Sequence, residues 1–237
     1  MLTALTLRPN VSCVNIDLMS RESADHATYH HGDLRAALLK AAAAEIERSG
    51  YENLSLRELA ESLGVSRAAP YRHFEDRRAL LAALAADGFD ALTAIHHKAI
   101  ASEKTPQDRL AAAGRGYLAF AMERPQLFRL MFVSDLLTAG AAPPDPVLIK
   151  AAGESYEVLE RLVATTLDDP DDSAIKAATI AIMSTSYGFA LLRMGGRLKP
   201  FMYGQLTQGE LVDTILSMKV TALPRGGRRK GRGKARS

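Results

Sequence analysis

Cysteine is almost missing from this sequence: Cys13 stands alone in 237 residues. A single thiol excludes an internal disulfide framework and a zinc site built on clustered cysteines, and it fits a reducing cytosol. Tryptophan is absent and aromatic residues make up only 6 %. With alanine abundant instead, the composition favours helix over sheet. No uninterrupted apolar run approaches the roughly 18 residues of a membrane span, so no membrane partner is expected. A Gly-rich phosphate loop, a metal-spaced His/Cys/Asp set and a serine beside a base are missing too. No catalytic residue, metal or cofactor is assigned, and an enzyme is the weakest of the readings kept open.

What the chain does have is apolar substance, 47 % of its residues, enough for one large or two small cores. The net charge of +3 hides an asymmetry. Seven Lys or Arg and no acid fall in the last fourteen residues, so the remainder carries about −4. The tail, PRGGRRKGRGKARS, reads as disordered and would bind any nucleic acid through counterion release.

The most informative stretch is Leu54 to Phe74. Ser55 and Glu58 make an S-x-x-E capping box that opens a short helix. Leu56, Leu59, Ala60 and Leu63 share one face, and Gly64 stands where a left-handed C-cap needs no Cβ. Ser66 is placed to cap a second helix carrying Arg67, Ala68, Ala69, Tyr71, Arg72 and His73. Two short helices around a glycine corner are the helix-turn-helix pattern, whose second helix enters the DNA major groove. Arg67 and Ala68 are the candidates for base edges, Arg by bidentate bonds to guanine and Ala through a thymine methyl. Tyr71, Arg72 and His73 suit phosphates, which set register. The alternatives are a half-core Tyr71, a solvated Arg72 and a His73 paired with a helix dipole. Phe74 reads as core. Pro70 removes an N–H and is expected to shorten or tilt the second helix.

At these residues the chain, from about Tyr29 to Leu84, resembles the DNA-binding domain of the tetracycline-repressor (TetR/AcrR) family of bacterial regulators. The resemblance rests on Ser49-Gly50-Tyr51, the Ser-capped Leu56–Leu59–Ala60 helix, Gly64-Val65-Ser66, Tyr71, Phe74 and a basic residue opening the next helix. It implies that Arg77, in the place of the family's usual lysine, meets a phosphate. Ser55 and Ser66 complete the candidate DNA-binding set. The segment from Leu110 to Phe132, with Ser186-Tyr187-Gly188, is similar to the subgroup named for a Trp-His-Gly motif, although Trp and His are both replaced. It implies an all-helical sensor and dimerisation domain whose last two long helices pack against their copies. The family further implies a homodimer, a double-stranded DNA operator, a small-molecule inducer of unknown identity, and a cytoplasmic, nucleoid-associated location.

The expected architecture is all-α, with about nine helices: a three-helix head bearing the helix-turn-helix, then a helical ligand-binding and dimerisation body. The boundaries are an arm over 1–28, the head over 29–84, the body over 85–222 and a tail over 223–237. Met19 is expected as the natural translation start. His30 and His31 read as a polar arm, since adjacent side chains diverge. Asp33 suits the cap of the first helix. Asp76 caps a long helix running to about Ala101. Further helices follow from Gln107 to Glu123, from Pro125 through Phe132, from Pro146 to Leu167 and from Ser173 to Met194. A last one, opened by a Thr207–Glu210 capping box, runs to about Ala222. The acids Asp168, Asp169, Asp171 and Asp172 read as a loop with a helix cap. Tyr117, Phe120, Phe128, Phe132, Tyr156, Met183 and Tyr187 are the candidate ligand-binding residues, with a place in the core or the dimer interface as the alternative for each one and a pocket among some of them expected. Met122, Met131 and Phe189 could line the same cavity, with Arg115 and Ser184 as further polar contacts. The rival reading of the whole chain is a non-specific nucleic-acid-associated protein that works through its tail.

Overall fold

Leu34, Leu38, Ala42 and Ile46 recur every four residues, and all four are buried on one face of the first helix, α1 (Leu34–Ser49). The computed structural model describes residues 34–138 and 143–221. The expectations for the arm, Met19, His30, His31, Asp33 and the tail lie outside the described residues. Eight more α-helices follow: α2 (Leu56–Ser62), α3 (Arg77–Ser102), α4 (Pro106–Glu123), α5 (Pro125–Phe132), α6 (Pro146–Ala164), α7 (Asp172–Met194), α8 (Pro200–Tyr203) and α9 (Gln208–Thr221). No strand is present among the described residues. The short α8 carries no apolar period and was not expected.

Helix starts follow local chemistry. Asp76 accepts from the Ala79 N–H over 2.8 Å to open α3. Thr105 accepts from the Asp108 N–H at 3.1 Å, with Pro106 in the first turn of α4. Asp145 caps α6 and Asp171 caps α7. Among the described residues no cluster of acids, His or Cys has the layout of a metal site. Thr207 and Glu210 form both halves of their capping box.

The helix α3 is the spine. It packs against α1, α4, α5 and α6, burying Leu80, Leu81, Leu84, Phe89 and Leu92. One core runs without interruption from Leu38, Ile46 and Leu59 near the N-terminus to Phe128, Leu148 and Phe189 in the body. By length and apolar composition alone α3 and α7 are each long enough to cross a membrane, although neither is an unbroken apolar run. Packing accounts for α3, over half of whose apolar window is buried by this chain. In α7 only 33 % of that window is buried, and Ile180 and Leu192 face outward.

Candidate DNA-binding turn and ligand cavity

The corner after α2 is a Schellman motif. Val65 N–H donates to the Ala60 carbonyl at 3.0 Å and Gly64 N–H to Glu61 at 3.2 Å. Gly64 takes φ +66°, where a Cβ would be strained. At the other end of α2 the Glu58 N–H donates to the Ser55 hydroxyl over 3.4 Å. These two features place the next residues at the surface. Ser66, Arg67, Ala68, Tyr71, Arg72 and His73 are all exposed, Tyr71 at 54 %. Phe74 is buried, with the Arg35 guanidinium 5.2 Å from its ring centre.

The second helix expected here is corrected by the structure. Residues 66–73 form a turn and a 3-10 helix, Pro70–Arg72, rather than an α-helix. The cause is the missing N–H of Pro70. It stands four residues after Ser66, where a helix begun by Ser66 makes its first backbone bond. The chain closes instead at three-residue spacing: Ala69 N–H to Ser66 at 2.9 Å, Arg72 N–H to Ala69 at 3.2 Å and His73 N–H to Pro70 at 3.0 Å. Ser66 therefore contributes its carbonyl, and no hydroxyl cap opens the short helix.

Two arginines make contacts that the sequence does not announce. Arg67 pairs with Glu61, its Nη2 at 2.7 Å, on a fully solvated surface. Hydrogen bonds from Arg67 and then Arg57 hold the Glu61 carboxyl below the usual range. An exposed pair is a weak restraint, so Glu61 orients Arg67 without locking it away from a base. Arg77 is different. Its Nε donates to the Leu54 carbonyl at 2.9 Å and its Nη2 to the Tyr51 carbonyl. The guanidinium is half-buried and ties the start of α3 to the loop before α2. That engagement, rather than a free cation at a helix N-terminus, is what the sequence reading of Arg77 missed.

Contacts also join the head to the body. The Glu47 carboxylate on α1 accepts from the Gln126 N–H at 3.1 Å and the Leu127 N–H at 2.9 Å, capping α5 from outside its own sequence. Arg124, the residue at that helix start, supplies no cap. Arg78 reaches Asp135, just beyond α5, at 3.1 Å. We expect Glu47→Ala to lower unfolding stability by about 1 kcal/mol, the usual value of an N-cap. An unchanged denaturation midpoint would show that this carboxylate does not hold α5.

A cavity of about 460 Å³ lies between α3, α4, α6 and α7, with Phe132 of α5 and Leu216 of α9 completing its wall. Leu216 comes this close because position 114 is glycine; a Cβ there would sit 2.4 Å from its Cδ2. Five expected residues line the cavity: Tyr117, Phe132, Tyr156, Met183 and Tyr187. Ser184 lines it too. Phe120 and Phe128 are corrected to core. Both are buried, and Phe128 packs its ring 4.8 Å from Phe132 and 5.5 Å from Tyr117, supporting the wall from behind. Met122, Met131 and Phe189 also fall outside the lining, and Arg115 points away, exposed and 3.3 Å from Asp213. Burial, and then the neighbouring Tyr187, pushes the Tyr117 phenol well above its ordinary range.

Sequence reasoning missed Phe89, Leu92, His96, Ser155 and Ser186 in this wall. The signal was present for His96. It continues the Phe89–Leu92 stripe at helical spacing, a polar residue on an apolar face. His96 is only 5 % exposed, and its Nδ1 has no hydrogen-bond partner. Burial first, and His97 second, pushes its imidazole down to about 4.

Comparison with known proteins agrees with this anatomy. A family model described as bacterial regulatory proteins, tetR family, matches residues 38–84. A second, described as tetracyclin repressor-like, C-terminal domain, matches residues 110–216, which hold the Ser186-Tyr187-Gly188 triplet. The chain is 40 % identical over 74 residues to the tetracycline repressor protein class C of Escherichia coli, a match spanning 31 % of this chain and 30 % of that relative. A solved structure from Rhodococcus sp. RHA1, of unknown function, is 34 % identical with a TM-score of 0.66, covering 82 % of this chain and 95 % of that one. The structure of AibR in complex with isovaleryl coenzyme A and operator DNA shares the fold at 19 % identity and a TM-score of 0.54, covering 78 % and 96 %. With head and body each matched, and a relative covered over nearly its whole length, the chain belongs to the tetR family of bacterial regulatory proteins.

Proposed function

We propose that this protein is a ligand-responsive transcriptional repressor that binds a palindromic operator as a homodimer. The observation that carries the reading is the exposed turn from Ser66 to His73 at one end of a core that continues to an apolar cavity opening beside α7. Two such turns related by a two-fold axis would enter successive major grooves. Arg67 and Ala68 read base edges, while Ser55, Ser66, Tyr71, Arg72 and His73 hold phosphates. The outward apolar side of α7 suits a second copy, and its Ile180 is 57 % exposed. The boundaries follow: a head over 29–84 and a ligand-binding and dimerisation body over 85–222.

Coupling runs through contacts already described. An occupant touching Phe132 bears on α5, which Glu47 holds to α1. One touching Phe89 or His96 bears on α3, whose first turn carries Arg77 and Arg78. Only an occupant that binds the two arrangements of the dimer unequally shifts DNA affinity.

Gel shifts with the DNA upstream of the protein's own gene test the reading. A repressor prefers that DNA over random duplex at physiological salt, and keeps the preference when residues 224–237 are removed. Loss of all preference with the tail would favour the non-specific alternative, and substrate turnover would revive an enzyme. Arg67→Ala is expected to cost about 1–3 kcal/mol of discrimination at one base pair. Competition gel shifts against single-base operator variants read it, and unchanged discrimination removes Arg67 from base reading.

A further inference from the structure

We infer that the cavity takes a neutral, largely apolar molecule whose hydroxyl group sits on His96; this rests on the cavity being the effector site proposed above. Three observations lead there. The walls are built by side chains such as Phe89, Leu92, Leu110, Leu159 and Ile182, which favour an apolar body. Among the described residues that line the cavity there is no Lys, Arg, Asp or Glu. An ionised group seated against the buried part of these walls, beside His96, would lose water with no counter-charge to meet it. Third, the His96 Nδ1 is buried in this wall without a partner, and nearly all buried polar atoms in folded proteins have one. Nδ1 itself is sealed from the cavity as the ring stands, and an occupant supplies the missing bond once the ring turns a nitrogen toward it.

The chemistry of imidazole selects the ligand's polar group. A neutral ring has one nitrogen that donates and one that accepts. A half-turn about Cβ–Cγ exchanges Nδ1 with Cδ2 inside the same space, so tautomer and ring orientation are both adjustable. A hydroxyl donates and accepts, and satisfies either arrangement. A carboxylic acid is ionised at neutral pH and meets the charge argument above. His96 lies on the same helix as Arg77, roughly 30 Å along α3 at 1.5 Å per residue. A bond formed at His96 therefore acts on the element that holds the head.

The test titrates the full chain at pH 7.5 with naphthalene, 1-naphthol and 1-naphthoate by calorimetry. The wild-type protein is expected to bind 1-naphthol about fivefold or more tighter than naphthalene, the worth of one buried hydrogen bond. The anion 1-naphthoate should bind weakest of the three. His96→Leu should erase the naphthol advantage while holding naphthalene affinity within about twofold. His96→Gln, which keeps a donor and an acceptor, should restore part of it and covers the case in which the leucine variant does not fold. Equal or tighter binding of 1-naphthoate, a naphthol preference that survives in His96→Leu, or no binding of any probe overturns the inference. Operator gel shifts run beside the titration separate the two readings. His96-dependent naphthol binding with no effect on DNA would remove the regulator reading and leave the site. DNA release by these probes that ignores His96 would do the reverse.

Discussion

Replacing Arg77 with alanine should destabilise the head by about 3 kcal/mol and weaken binding to every DNA sequence alike. Two charge-assisted bonds are lost, each worth about 1.5–3 kcal/mol, and the carbonyls of Tyr51 and Leu54 lose their donor. Leu54 is itself buried, so water does not freely replace the guanidinium there. Loss of so much in a protein of ordinary marginal stability is severe. Urea denaturation and salt-dependent gel shifts separate this account from a phosphate role. A structural Arg77 lowers the denaturation midpoint and leaves the salt slope of any folded fraction unchanged. A phosphate contact leaves the midpoint alone and lowers the slope by about one.

The second large effect is acid sensitivity. His96 is held neutral in the folded chain, with its imidazole pushed from 6.5 down to about 4 by burial. The folded value lies below the unfolded one, so the unfolded chain takes the proton first. Stability is complete above pH 6.5 and falls as the pH drops from 6.5 toward 4, below which this group adds nothing further. A gap of that size corresponds to about 3 kcal/mol. His96→Leu removes the term. The stability difference between the two proteins, measured in urea at pH 7 and at pH 4, should therefore change by about 3 kcal/mol in favour of leucine at low pH. Tyr117, Tyr156 and Tyr187 are common to both proteins and cancel in that difference, whereas the repulsion from His97 is part of what the leucine removes. Parallel pH profiles would mean that water reaches the imidazole.

Much of this molecule was legible where chemistry is local. The serine start of α2, the glycine corner at Gly64, the Thr207–Glu210 box and the aspartate caps depend on residues within a turn of one another. Pro70 was legible as a disturbance for the same reason, although its result, a 3-10 turn in place of a helix, needed the backbone. What escaped the sequence depends on distant partners. Arg77 is read as a phosphate ligand until the Leu54 and Tyr51 carbonyls are seen beside it. Glu47 gives no sign of capping a helix some eighty residues away. Phe120, Phe128 and Phe132 look alike in the sequence, yet only Phe132 lines the cavity, and Phe128, one turn earlier on α5, is sealed behind Phe132 and Tyr117. His96 stands out as a polar residue beside Phe89 and Leu92, but only the packing of α4, α6 and α7 against α3 shows that this face borders a cavity. The uncovered side of α7 fits the same lesson: its sequence shows apolar residues all round, and which of them need a partner depends on how α4 and α6 cover it.

The central claim is that the surface turn from Ser66 to His73 reads one particular operator, twice. Hydroxyl-radical footprinting of the full chain on the DNA upstream of its own gene tests this most directly. The account predicts two protected half-sites that form an inverted repeat, about one helical turn apart centre to centre, with the protection lost when Arg67, Tyr71 and Arg72 are replaced together. Uniform protection along the duplex that survives this triple replacement would contradict it.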